Sequence, residues 1–319
     1  MSDPSKQSLN RAIDPFGLVA LLGGALAMGV SPIFVRFAAA DGVPAFASAF
    51  WRVALALPVL YAWALAEERQ SGAGPKPSMN KAIFLAGLLF SGDLLFWHLS
   101  ILNTSVANAT FFGTTTPIWV VLTAWLIFRQ KIPRAVPVGI ALCIIGGIAL
   151  IGRSMELDIN HVKGDIFGLI TAVFFSLYFF AVQSARKASG AARATFGLSL
   201  VTAPILAAAA LINGDTFLPH GASGYAALMA MALISHAGGQ GLLAIALGRL
   251  PTVLTSFVIF IEAIAAALMA WLVLGEDLVA LQLMGGALIL VGIYVARPQE
   301  AAQRSENIDK NSLESAIER

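Results

Sequence analysis

Long apolar runs, each about the length of a membrane crossing and parted by short polar links, follow one another along this chain. Crossing a hydrocarbon layer of about 30 Å takes roughly 20 apolar residues at about 1.5 Å per residue. Ten runs meet that length: 16–38, 44–66, 81–102, 105–128, 134–152, 164–185, 193–212, 222–247, 251–274 and 278–296. The pattern predicts an all-α integral membrane protein of ten transmembrane helices. Its longest internal polar links, Glu67–Asn80 and Arg153–Lys163, leave no room for a large domain outside the bilayer. Asn103-Thr104 and Gly275-Glu276-Asp277 are so short that tight antiparallel hairpins are expected there. The run that begins at Phe16 is too long for the core of a signal peptide and has no clear cleavage site, so it reads as the first span. Residues 1–15 and 297–319 read as polar tails, the second charged, apolar-poor and expected to be loosely ordered. Pro44, Pro133 and Pro251 are expected at first helical turns. Pro32, Pro58, Pro117 and Pro204 fall inside spans, where they kink a helix and free a carbonyl.

The runs repeat. Residues 124–149 (AWLIFRQKIPRAVPVGIALCIIGGIA) align without gaps on 270–295 (AWLVLGEDLVALQLMGGALILVGIYV), an offset of 146. Ala124-Trp125-Leu126 matches Ala270-Trp271-Leu272, Gly139 matches Gly285, and Gly146 matches Gly292; Phe16-Gly17 matches Phe167-Gly168. Two five-span halves follow, 16–152 and 164–296. Five is odd, so the second half enters the membrane from the opposite side, and inverted repeats of this kind place a substrate site between the halves near the midplane.

Composition sharpens this. Of 319 residues, 58% are apolar and 12% charged, and mean hydropathy is +0.81. A soluble domain carries about 25% charged residues, so neither a soluble enzyme nor a disordered chain fits. Net charge of +2 implies no nucleic-acid partner. The single cysteine, Cys143, has no partner for an intrachain disulfide, and no Cys/His spacing suggests a metal or a cofactor. Basic residues set the expected orientation. With the N-terminus inside, Lys6, Arg11, Arg69, Lys76, Lys81, Arg129, Lys131, Arg134, Arg186, Lys187, Arg193, Arg249 and Arg297 fall on the cytoplasmic side, and Arg36, Arg153 and Lys163 on the other. Both termini are then cytoplasmic.

Several stretches resemble a known family. Ala49-Phe50-Trp51-Arg52, Thr104-Ser105-Val106-Ala107-Asn108-Ala109-Thr110 and Thr116-Pro117 are similar to its second and fourth helices. Trp271-Leu272-Val273-Leu274-Gly275-Glu276, with Gln282 and Gly285, is similar to its closing helix pair. On these residues the chain resembles the EamA-type transporters of the drug/metabolite transporter superfamily, from about 16 to 296. The resemblance implies ten helices in two inverted repeats around a central cavity, in a bacterial cell membrane, exporting a small metabolite. The chain departs from the family at Glu262-Ala263, where Glu-Pro is frequent, and at Arg129-Gln130, where its own second half has Gly275-Glu276.

Ionisable and polar groups inside spans are the candidates for chemistry, because burial in lipid is costly. Arg52 and Asp93 fall at similar depth, so a structural ion pair is possible; Arg52 snorkelling outward is the alternative. Trp97, four residues from Asp93, shares its face and can stack on a flat solute or mark the interface. His98 points elsewhere, toward an outer cavity wall or solvent, and does not chelate with Asp93. Asn108, Phe112, Thr115 and Trp119 form a stripe on span 4 that either lines a cavity or packs helices together. His236 and Gln240 share a face among Gly238, Gly239 and Gly241. Glu262, near the middle of span 9, lies at a comparable depth and is the best candidate for carrying a proton or pairing with a cationic solute group. Tyr178 is a further polar group needing a partner. The leading reading is a secondary transporter moving a small metabolite such as an amino acid. A membrane-embedded lipid- or isoprenoid-modifying enzyme is the alternative. It would need paired acids for a metal, and the close acidic pairs all fall in loops.

Overall fold

A computed structural model describes residues 14–71, 79–151, 159–274 and 280–296. Residues 1–13 of the first tail, the whole of the second and the Gly275-Glu276-Asp277 link lie outside the described residues. Among these, eight helices are long and apolar enough to cross a membrane: Pro15–Ala40 (span 1), Ala45–Gln70 (span 2), Lys81–Asn103 (span 3), Asn108–Leu126 (span 4), Val162–Arg186 (span 6), Ala191–Asn213 (span 7), Ala222–Leu247 (span 8) and Thr252–Met269 (span 9). The shorter apolar helices Ala135–Leu150 (span 5) and Ala280–Ala296 (span 10) complete the ten. Spans alternate in direction. The start of span 1 therefore shares one face, here the terminal face, with links 2–3, 4–5, 6–7 and 8–9. Links 1–2, 3–4, 5–6, 7–8 and 9–10 share the distal face.

Proline and hydroxyl chemistry decides where spans break. Span 1 is interrupted at Val30, just before Ser31-Pro32; span 2 at Leu55-Ala56, before Leu57-Pro58; span 4 at Thr114-Thr115, before Thr116-Pro117. A proline has no N–H to give and its ring crowds the carbonyl four residues back. Pro204 stays inside an uninterrupted helix. Pro44 and Pro251 sit one residue before their helices, as extended caps rather than in the first turn, and Pro133 lies two residues before Ala135. Span 9 breaks at Phe257 without a proline. At both breaks of the repeat-related spans 4 and 9 a hydroxyl takes up a freed carbonyl: Thr116 donates to Gly113 at 2.8 Å and Ser256 to Val253 at 2.7 Å, while Thr114 and Thr115 donate at 2.6 Å to the Phe111 and Phe112 carbonyls, which also accept backbone N–H groups. Span 8 takes another deviation, a π-helix over Met231–Gln240.

The two halves meet through pairs of equivalent contacts. Spans 5 and 10 form the most extensive pairing, backbone to backbone. A Cβ on Gly139 would stand 2.5 Å from the Gly292 carbonyl oxygen, and one on Gly292 2.7 Å from that of Gly139. The repeat-equivalent pair does the same: 2.7 Å from Gly146 to Gly285, 2.6 Å in return. Without hydrophobic drive between helices in lipid, such close approach of small residues supplies the packing. Between the two glycine pairs the Cys143 thiol reaches the carbonyl of Ile289, its own equivalent 146 residues on, at 3.4 Å. The contact map repeats elsewhere in the same way: span 3 lies on span 6 as span 8 lies on span 1, and span 4 on span 6 as span 9 on span 1. Each half's first helix thus packs into the other half, and the largest core cluster draws on both, including Leu21, Phe90, Tyr178 and Leu247.

Polar ties at the two faces obey the same symmetry. Asp14 caps span 1, accepting from Phe16 N at 2.9 Å and Gly17 N at 3.3 Å, and binds Arg249 of link 8–9 at 2.7 Å. Its equivalent, Asp165, opens span 6 on the distal face and accepts from Thr104 Oγ1 at 2.8 Å and Asn108 Nδ2 at 3.1 Å. Glu67, at the end of span 2, caps span 7 through Ala192 N and Arg193 N at 3.2 and 3.1 Å. Asp215, just beyond span 7, caps span 2 in return, through Ala47 N at 2.9 Å. Large apolar side chains such as Leu22, Leu26, Ile145, Leu211 and Leu290 stay exposed on the outside of the bundle, as a lipid-facing surface requires. The repeat-equivalent Trp125 and Trp271 are exposed toward opposite ends of the molecule, where interfacial rings belong.

Candidate functional site

A cavity lies where the halves meet, with about 640 Å³ of atom-free space including its mouth. Spans 1, 2, 3, 4, 6, 8 and 9 contribute to it. It occupies the distal half of the bundle. Arg52 is seven residues in from Ala45, Asp93 ten from Asn103 and Thr171 nine from Val162, which places all three roughly 10–15 Å from the distal helix ends. Met28, Pro32, Leu94, Ile259 and Ala266 form an apolar wall, and Gly113, where a Cβ would meet nothing within 4 Å, keeps it open.

Three charged side chains face this space: Arg52, Asp93 and Glu262. Arg52 and Asp93 share the cavity without the ion pair expected from their depth. Among the described residues no ion pair within 4.0 Å joins them, and each has a different neighbour. Asp93 Oδ1 accepts from Thr171 Oγ1 at 2.8 Å, and the same hydroxyl lies 2.6 Å from the Asp93 carbonyl oxygen. The Arg52 guanidinium stands over the Trp97 ring, 5.3 Å from its centre. Glu262 is half-buried at the break-proximal part of span 9 and, among the described residues, makes no hydrogen bond or ion pair.

Gln240 forms the floor. Its Oε1 accepts from Tyr178 Oη at 3.0 Å and its Nε2 lies 3.4 Å from Met28 Sδ. Tyr178 stacks on Phe90, with ring centres 4.9 Å apart, and Phe90 stacks on His236 at 5.4 Å. His236 Nε2 is 2.8 Å from Ser199 Oγ. This layer is fully buried and closes the bundle between the cavity and the terminal face.

Of the residues singled out from sequence, Glu262, Gln240, Asp93, Trp97 and Arg52 line the cavity; Tyr178 and His236 lie in the layer beneath and beside it. His98 is elsewhere: it is 0% exposed and edge-on behind Trp97 rather than on an outer cavity wall. The span 4 stripe also turns away. Asn108 is held by Asp165, Thr115 by the Phe112 carbonyl, and Trp119 is half-buried outside the cavity. The neighbouring face carries the lining instead, with Ala109, Thr110, Gly113 and Thr116. Sequence reading missed that face because the spacing of polar and aromatic residues defines a stripe without saying which way packing turns it, and missed Thr171 because an isolated threonine in an apolar span carries no mark of its partner.

Known proteins bear on this arrangement. The profile of the EamA-like transporter family matches residues 15–152 and again 162–297. An uncharacterized transporter of Archaeoglobus fulgidus is 26% identical over 303 residues, covering 88% of this chain and 96% of that protein. A solved crystal structure superposes with a TM-score of 0.72 over 87% of this chain and 98% of its own, at 19% identity, a likeness of fold alone.

Proposed function

We propose that this chain, which belongs to the EamA-like transporter family, is a secondary carrier that exports a small metabolite such as an amino acid by alternating access. Family membership sets aside the lipid- or isoprenoid-modifying enzyme weighed from sequence. The observation that carries the reading is a cavity at the interface of two inverted halves, lined by charges of both signs and an apolar wall, and closed on one side by a packed aromatic layer. Such a site binds a solute with one apolar and one polar end and exposes it to one side at a time.

The excess of basic residues on the terminal face supports cytoplasmic termini in a bacterial inner membrane. On that orientation the form described here opens outward. Solute contact falls to Glu262, Gln240, Asp93 and Trp97. Tyr178 and His236 come into contact when the aromatic layer parts.

Counterflow of labelled amino acids and neutral metabolites in liposomes containing the purified chain tests this. Saturable, protein-dependent exchange is expected; none across a broad panel, with folded protein, counts against a carrier. Glu262 is the candidate for proton coupling, as a carboxyl inside the membrane facing the cavity with no fixed partner among the described residues. Glu262→Gln is expected to flatten the pH dependence of exchange, and an unchanged profile removes proton coupling through this residue.

A further inference from the structure

Arg52 poses a problem that the carrier reading does not by itself solve. It is 4% exposed, and its Nε has no hydrogen-bond partner. No hydrogen bond or ion pair reaches its guanidinium among the described residues, and it lines the cavity. A buried guanidinium carries five N–H donors in a planar fork and is costly to bury without acceptors. The Trp97 ring, 5.3 Å away, covers one face and leaves the in-plane donors unused. Neither carboxylate of the cavity supplies an acceptor: Asp93 accepts from Thr171, and among the described residues neither Asp93 nor Glu262 forms an ion pair with Arg52 within 4.0 Å.

We infer that Arg52 is an anion subsite that takes the carboxylate of the transported solute. The fork of the guanidinium matches a carboxylate bidentately. Trp97 holds the fork in place, and Leu94 and Pro32 face the apolar body of the solute. A single cation facing Asp93 and Glu262 suits one negative charge, which favours a carboxylate over a dianionic phosphate. This inference rests on the carrier reading, since it names the chemistry of that carrier's solute.

The test uses the purified full chain and binding read by thermal stabilisation, with benzoate, the isosteric neutral benzamide, and phenyl phosphate as probes. Benzoate is expected to stabilise saturably, with benzamide at least tenfold weaker. Arg52→Gln should lower benzoate affinity at least tenfold, and Arg52→Lys should restore part of it while remaining weaker than arginine. The inference is overturned if benzoate has no saturable effect, if benzamide matches it, if the benzoate effect survives in Arg52→Gln, or if phenyl phosphate binds more tightly. The comparison among probes is made on the unaltered protein, so it holds whether or not the variants fold. Counterflow separates the two readings. Exchange of solutes lacking a carboxylate keeps the carrier and removes the subsite; an Arg52-dependent benzoate site without exchange of any solute does the reverse.

Discussion

Asp14 shows how much a single residue does at the terminal face. It caps span 1 and ties that span to Arg249 between spans 8 and 9. The Arg249 hydrogen bond, with the N–H groups of Gly17 and Phe16, holds its carboxyl below the ordinary value of 3.8. A carboxyl whose pKa is depressed on folding contributes stability that is present above the unfolded value and is lost as pH falls through the folded one. Asp14→Asn is therefore expected to melt below the unaltered protein at pH 6–8, with the gap closing below about pH 4. A gap of constant size down to acid pH would show that the charge of Asp14 is not the source. Asp93 teaches a different lesson. Its position inside an apolar span was legible, but its partner was not, because Thr171 lies 78 residues away on another helix.

Helix pairs carry the symmetry of the molecule. Gly139, Gly146, Gly285 and Gly292 were visible as matched positions in the two alignable stretches, and the structure shows what they are for: each lies against the backbone of its partner's span. Gly146→Ala puts a Cβ 2.7 Å from the Gly285 oxygen, so spans 5 and 10 must part, at a cost of about 1–3 kcal/mol. Gly286, next in sequence to a contact glycine, has nothing within 4 Å of the same atom. Gly286→Ala is expected to be neutral or to gain up to about 1 kcal/mol from helix propensity. Thermal unfolding of the two variants side by side checks this; equal losses would mean that glycine matters here for flexibility and not for contact. Arg129 marks where the halves have diverged. It holds a φ of +51° at the end of span 4, in the left-handed region that favours glycine, and its equivalent in the second half is Gly275.

At the scale of the whole molecule, the crossed packing of the first helices makes each half depend on the other, and the ties at the two faces come in equivalent sets. On the terminal face Asp14–Arg249 and Glu67–Arg193 hold spans 1, 2, 7 and 8 together below the aromatic layer. In the proposed alternating-access cycle this face opens while the distal ties tighten. Cysteines at 14 and 249, in a Cys143→Ala background and joined by a short reducible cross-linker, are expected to arrest exchange until the link is reduced. Undiminished exchange with the link intact would show that the terminal face does not open there. The sequence alone determined the ten spans, their duplication in opposite senses and the set of polar residues inside them. Hydropathy is a local property, a duplication is read by alignment, and lipid penalises a charge wherever it falls. Tertiary structure decided which of those residues meet. It set Arg52 over Trp97 rather than against Asp93, gave Asn108 to Asp165 and put His98 behind the cavity wall. The breaks at Val30 and Thr114 could be read from Pro32 and Pro117, but the one at Phe257 has no proline to announce it. Helix rotation and contacts between residues far apart in the chain are products of packing, which no single segment specifies.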